Sequence, residues 1–590
     1  MVVKRLDDLF SRVDRNGLAK KEDLIISPGD YKECNYLLQT ASNILSSLSR
    51  SGWAALLTRS LSHIEKHNDD SMSKGKVMST AGFLPIAYSF PGSGETKSLH
   101  TMVFEASLAI SENKTPELSQ MSPEKEKLLY TSLVVLRQLL VGPGADEIIE
   151  SGVDSLLIDR LSFALDEGSA VVQEATIDTL LAALKVRFAH VFLPTPPVRP
   201  RVKRAASREG LTSASLLSLA SDKGEKRPPT PTLPEPPPQL LDCLIKGISS
   251  VNSWEVAEKW VLLLCETLPL YQGGVFQILL MLVECFCREI QNSYTKLRRS
   301  FKQTENWSED RAEQVTIALL AGLETCVATA HERLLVEEGS ISSAKNPDQS
   351  HGFFGNMVSG VFASEGSQNQ SSTANNRLTV LLCFQDAVRL CFSIWSWGAS
   401  EQEGPPQDTE SLASFQYTSL RMRNRSRRIL EHLFTAEALE CLETLVEMWA
   451  KSEAGPSALV FNLLHTLDGS RPKITIPAVF NAIYTRTNPL ALDQNRKSAM
   501  ACDITESELA GFLVMYARSL DDDVLDEIWT DCGTFLRDVL SNPFPHRHIL
   551  PRLIEFAAIL GAKMDNTNFG EDRRTRKELG VSYSKPFFYE

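Results

Sequence analysis

Residues 124–144 read EKEKLLYTSLVVLRQLLVGPG. Leu128, Leu129, Leu133, Leu136 and Leu140 recur at three- and four-residue spacing, the period of one helix face, and Gly142-Pro143-Gly144 stops the helix. A second helix is predicted over 145–165. After Gly168 comes a third, whose Ile177, Leu180, Leu181, Leu184, Phe188 and Val191 form one stripe. Three amphipathic helices with short breaks and no strand pattern between them predict a helical repeat.

The same pattern continues downstream. Trp254, Val261, Leu264, Leu268 and Leu270 line one element, and an apolar helix over 275–297 ends in Lys296, Arg298 and Arg299, cations that complement a helix C-terminus. Ser308-Glu309-Asp310 opens a helix running to about residue 337. Later come Leu378, Leu381, Leu382, Ala387 and Leu390, followed by Ile394, Trp395 and Trp397, and then Leu439, Leu442, Val446 and Trp449. Thr505 with Glu508 is a capping box. Asp521-Asp522-Asp523 reads as helix-start charge ahead of Leu525, Ile528, Trp529, Cys532, Phe535 and Leu536.

Two stretches break the array. Residues 194–239 combine Arg199, Arg201, Lys203, Arg204 and Arg208 with a run of seven prolines over 228–238. That composition builds no core and predicts disorder. Within it Ser207 suits a basophilic kinase and Thr230 a proline-directed one, while the plain alternative is a solvated linker. Residues 338–373, rich in Ser, Gly, Asn and Gln, predict a second disordered loop. It carries Phe353, Phe354 and Phe362, which either dip into a membrane or partner groove or pack back onto the repeat. The expected organisation is a weakly ordered helical region over 1–123, helical repeats over 124–193, 240–337 and 374–580, the two loops, and a tail at 581–590. The fold class is therefore all-α, an armadillo- or HEAT-like α-solenoid with disordered Pro-rich and Ser/Gly-rich loops.

A helix beginning near residue 411 carries Arg421, Arg423, Arg425, Arg427 and Arg428. Such a cluster fits phosphate or an acidic membrane surface. It equally fits a charged face paired with nearby carboxylates.

The 590 residues are 43% hydrophobic, enough for a large buried interior and too many for one compact core. The formal charge of −13 makes general nucleic-acid binding a poor fit. The 11 cysteines sit mostly in apolar runs, as reduced buried thiols do. Cys285 and Cys287 have the wrong spacing for zinc, as do His546 and His548. The N-terminus lacks a signal-peptide core. The longest apolar run, over 275–286, is broken by Gln277 and Glu284 and is well short of the ~20 residues of a membrane span, so membrane contact is expected to be peripheral.

No catalytic pattern stands out. The stretch from Pro91 to Ser98 has Pro91 and Thr96 where a Walker loop needs glycine. There is no Gly-x-Ser-x-Gly elbow and no His-Glu-x-x-His. The expectation is a non-enzyme with no cofactor and no metal, working through an extended binding surface. A cluster of titratable groups with strongly perturbed pKa values in a deep cleft would count against that.

From residue 240 onward the chain resembles the Dopey family of trafficking scaffolds in its fungal form. The resemblance lies in LDCLIKGI at 241–248, KWV at 259–261, LPLY at 268–271, FQIL at 276–279 and VECFC at 283–287. It continues in GFFG at 352–355, LCFQDAVR at 382–389 and FGEDRR at 569–574. It spans roughly 350 residues, 240–580, and its implied members are several-fold longer. On that basis the chain is expected to be a partial one, without the family's N-terminal domain and C-terminal continuation. The resemblance implies a non-catalytic scaffold in Golgi–endosome vesicle-mediated protein transport, on the cytosolic face of trans-Golgi network and endosome membranes. It implies a GEF-like Golgi scaffold and a phospholipid flippase as partners, and no catalytic residues. The alternative is a plasma-membrane scaffold holding a lipid kinase.

Overall fold

The computed structural model describes residues 31–59, 98–112, 122–150, 152–189, 235–301, 309–344, 366–397, 409–451, 457–493 and 496–566. Every regular element among them is helical. Ser207, Thr230, Phe353, Phe354 and Phe362 lie outside the described residues, as do most of 194–239 and the Pro91–Ser98 stretch up to residue 97. The chain divides into two compact units, residues 1–247 with 269–271, and residues 248–268 with 272–590.

In the first unit the helices are α1 (Tyr31–Ser47), α2 (Arg50–Thr58), α3 (Leu99–Glu112), α4 (Pro123–Val141), α5 (Ala145–Ile149), α6 (Val153–Glu167) and α7 (Ala170–Arg187). The opening stretch forms α4: Ser122 accepts a hydrogen bond from the Lys125 N–H, Pro123 stands in the first turn, and Gly142 closes the helix. Its leucines are buried against α1, α3 and α7. The helix expected over 145–165 is instead two. Gly152 adopts a left-handed conformation (φ 76°), which costs glycine little, and the chain turns there between α5 and α6. Gly168 (φ 75°) ends α6, and the Ser169 hydroxyl caps α7. The N-terminal region contributes packed helices: Asn35 of α1 accepts a hydrogen bond from Thr131 of α4 at 2.7 Å.

After α8 (Gln239–Ser249), which runs across the division, the second unit comprises α9 (Ala257–Thr267), α10 (Val275–Ser300), α11 (Glu309–Ala344), α12 (Gly366–Trp395), α13 (Thr409–Ala436), α14 (Ala438–Ala450), α15 (Ser457–Thr466), α16 (Pro472–Thr487), α17 (Glu506–Ser519), α18 (Leu525–Ser541) and α19 (Leu550–Asp565). Each packs chiefly on helices one or two steps away in chain order: α10 on α11 and α12, α12 on α13 and α14, α14 on α16, α16 on α17 and α18, α17 on α19. Packing that never leaves the sequence neighbourhood is the solenoid arrangement. Helices α11 and α12 both reach into the 338–373 stretch expected to be loop. Their ends are clamped together, Asn376 donating to Glu337 at 3.2 Å and Arg377 to Glu338 at 3.0 Å. Residues 338–344 and 366–373 are thus helical, and 345–365 lie outside the described residues.

Aromatic rings mark the inter-helix seams. Trp397 meets Tyr294 and Phe415 edge-on, each at 5.5 Å. Phe480 of α16 stacks on Phe535 of α18. The capping box at Thr505 is present, with the Thr505 hydroxyl and Glu508 carboxylate each bonding the other's backbone N–H. Asp521 precedes a 3-10 turn, and Asp522 accepts from Lys563 (2.9 Å) and Asn566 (3.1 Å), fastening α19 to the start of α18. One segment, Ser372–Trp395, is long and apolar enough to cross a membrane by length and composition, contrary to the sequence expectation. Two-thirds of it is buried against neighbouring helices, the position of a core helix. All 11 cysteines are unpaired, and only Cys265 and Cys287 are partly exposed.

Candidate functional site

Helix α13 presents the arginine cluster, and most of it is engaged by neighbouring groups. Arg421 donates to Glu313 of α11 at 2.7 Å, and Glu313 also accepts from the Thr418 hydroxyl at 3.0 Å. Arg425 donates to Glu324, again on α11, at 2.7 Å. Arg427 bonds Glu431 one turn along its own helix at 2.9 Å. Arg423 lies over the Trp395 ring, 5.5 Å from its centre, as a cation–π contact. Arg428 is exposed and has no ion-pair partner among the described residues. The cluster thus fastens α13 to α11 and α12, which leaves Arg428 as the guanidinium most open to an outside phosphate.

A second row of charge in this unit lies on α14, where the sequence showed only an apolar stripe. This helix has α12, α13, α15, α16 and α17 around it, and residues 440–447 are buried without interruption. Apolar Cys441, Leu442, Leu445 and Val446 fill one side. On the other, Glu437, Glu440, Glu443 and Glu447 recur at three- and four-residue spacing on a single face. Four carboxylates in a row repel one another unless countercharge is supplied. It comes from other helices. Arg377 of α12 reaches both Glu437 oxygens (3.1 and 3.2 Å), and His331 of α11 stands 3.4 Å from the same carboxylate. Arg389 of α12 donates to Glu447 at 2.8 Å, which Lys451 also reaches at 2.7 Å. Arg486 of α16 donates to the fully buried Glu443 at 2.6 Å.

A strap over 496–504, between α16 and α17, covers the middle of this seam. The Ala499 N–H donates to Glu440 at 2.7 Å, and the Ser498 hydroxyl donates to Glu443 at 2.8 Å. Arg486 Nε donates to the Ile504 carbonyl at 3.1 Å, and Thr444 lies beside Cys502 Sγ at 3.7 Å. Met500 takes a left-handed conformation (φ 52°) to turn the strap back out.

Glu440 is the exception in the row. It is 3% exposed, has no arginine bonded to it, and its Oε2 has no hydrogen-bond partner. Burial pushes its carboxyl up to about 7. Glu443 and Glu437 push the same way, and the Ala499 N–H and Arg377 oppose. Glu447 is the opposite case: burial opposes its charge, but the Lys451 and Arg389 hydrogen bonds outweigh it and hold the carboxyl below its ordinary value. Glu440 can therefore hold or release a proton near neutrality. However, the strap closes over it and Ser498 is engaged by Glu443, so the arrangement is that of a cross-link rather than an open reaction site.

A raised carboxyl gives a pH dependence of definite sign. The folded chain keeps the Glu440 proton between 4.5 and about 7, where the unfolded chain has lost it. The resulting stability is present at acidic pH and disappears as pH rises through about 7. Glu440→Gln, neutral at every pH, is expected to lose this slope. The difference in unfolding free energy between variant and parent should change by up to about 3 kcal/mol between pH 5 and 8 in the variant's favour, read from urea midpoints. Parallel pH profiles for the two proteins would refute the assignment.

The comparisons with known proteins agree on one family. A family model described as DOP1 C-terminal matches residues 512–588. Protein dop1 of Emericella nidulans is 60% identical over 581 residues, 98% of this chain and 30% of that protein. Protein DOP1 of Saccharomyces cerevisiae is 26% identical over 364 residues, 59% of this chain and 20% of that protein. The similarity thus takes in the N-terminal region before residue 240, where no resemblance was read from the sequence. Among solved structures, yeast importin-beta covers 99% of this chain and 65% of its own with 9% identity and a TM-score of 0.23, too low to carry an argument. The chain spans less than a third of the curated relatives it matches, and it belongs with them to the Dop1, or Dopey, family.

Proposed function

We propose that this chain is a non-catalytic scaffold of Golgi–endosome vesicle-mediated protein transport, acting through protein–protein contacts at the cytosolic face of trans-Golgi network and endosome membranes. The observation that carries the reading is the 60% identity to Protein dop1 across nearly the whole chain. The packing supports it. Within each unit, helices stacked in chain order offer an extended surface, and the charge pairs of α13 and α14 are mostly used between helices, so recognition falls to what remains exposed. The partners in this reading are a GEF-like Golgi scaffold and a phospholipid flippase, with peripheral membrane contact in which Arg428 takes part and no nucleic acid.

Affinity purification of the tagged chain from gently lysed cells, read by mass spectrometry, tests it. The expected result is co-recovery of a flippase and a GEF-like Golgi protein above an untagged control. Recovery of a lipid kinase with plasma-membrane proteins would favour the other scaffold reading, and recovery of neither set would overturn both.

A further inference from the structure

Between α11, α12 and α13 lies a cavity of about 150 Å3 that opens to the surface. Its floor is apolar, with Val327, Phe384 and Leu433 buried around it. Two exposed alanines, Ala328 on α11 and Ala436 on α13, stand at its mouth where larger side chains would fill it. The surrounding polar groups are already committed with one exception. Glu324 is shared by Arg425 and His432, and His331 stands against Glu437. Glu332, also at the mouth, is exposed and has no ion-pair partner among the described residues.

We propose that this cavity is a docking site for one ring-sized apolar side chain of a partner protein, carried next to a basic residue that pairs with Glu332. A cavity of about 150 Å3 with apolar walls holds a benzene-sized group without rearrangement. Burying such a group in a preformed pocket is the usual form of an anchor at a protein interface. The charge follows from the rim: the Glu324 carboxylate is already engaged by Arg425 and His432, which leaves the unpaired carboxylate of Glu332 to select a cation. The proposal adds one specified contact to the scaffold reading and rests on it only in taking the occupant to be a protein.

The test uses two small probes on the full chain, so that its failure is separate from any failure to capture partners. Phenethylamine and 3-phenylpropionate carry the same ring with opposite charge. Saturation-transfer NMR and calorimetry should show millimolar binding of both, with phenethylamine tighter by about two- to fivefold, the range of an exposed ion pair. Glu332→Gln should remove that preference and keep ring binding. Ala436→Phe, at an exposed position, should abolish binding of both probes, and Ala328→Leu should do the same from the facing helix. Absence of binding to the parent chain, preference for the anion, or binding unchanged in both mouth variants would overturn the proposal.

Discussion

Arg486→Met is expected to cost the second unit about 3–5 kcal/mol, the range for removing one partner of a buried ion pair. Arg486 makes three kinds of contact from α16: to the buried Glu443 of α14, to its own helix at the Ala482 carbonyl, and to the strap at the Ile504 carbonyl. Methionine keeps most of the stem's volume and none of the donors. Glu443 would then keep only the Ser498 hydroxyl, among neighbours that include the Glu440 carboxyl. It would either be desolvated as an uncompensated anion or take up a proton. The second route makes the loss smaller at low pH. The measurement is the urea midpoint at pH 7, with hydrogen exchange followed in α14, α16 and the strap. Exchange should rise first over 496–504, since the strap loses its fixing at Ile504 and is left with Ser498 on a carboxylate that has lost its countercharge. Removing the carboxylate as well, in Glu443→Leu with Arg486→Met, is expected to recover part of the stability, because a buried pair adds little net free energy over apolar packing. A single variant within about 1 kcal/mol of the parent would show that the pair is solvated in solution.

The two halves of that interaction differ in how far the sequence revealed them. The leucines of α4, the break at Gly168 and the cap at Thr505 are local signals, each read within a few residues, and they forecast where helices begin and end. Gly152 was equally local, following Glu150 and Ser151 at the end of a short amphipathic turn, yet the apolar period continues through it and masked the break between α5 and α6. The glutamates of α14 are different in kind. Their spacing matches that of Leu442 and Val446, so by pattern alone they belong to a solvated face. What makes them a buried seam is countercharge 60, 58 and 43 residues away, at Arg377, Arg389 and Arg486. No window on the sequence contains both partners. The same reason left the arginines of α13 open between phosphate binding and internal pairing, since Glu313 and Glu324 lie more than 100 residues upstream. The cavity at Ala328 and Ala436 carries no local signal either, because alanine on a helix face is the residue least informative about its surroundings.

Phe286→Ala is expected to be the other large effect, about 3–5 kcal/mol, the range for deleting a buried aromatic side chain. Phe286 lies between Cys285 and Cys287 on α10, fully buried, and its ring is what α11 packs against at Gly322. A Cβ built at Gly322 would sit 2.6 Å from two ring carbons of Phe286 and 3.0 Å from Val261 Cγ1 of α9. The three helices therefore meet at a position where a methyl group does not fit. Gly322→Ala gains helix propensity, worth about 1 kcal/mol. That gain is outweighed by a contact closer than real Cβ atoms make, against a ring held by close packing on its other sides, and overpacking of this kind costs about 1–3 kcal/mol. The two substitutions should not add. In Phe286→Ala the ring is gone, the clash is relieved, and the new methyl group occupies part of the cavity. The double variant is accordingly expected to be more stable than the sum of the single losses by about 1–3 kcal/mol, measured as the interaction free energy of a double-mutant cycle from urea unfolding. Simple additivity within about 0.5 kcal/mol would mean that the ring and the glycine do not share the same space, and that the close approach of α10 and α11 is set elsewhere along their length.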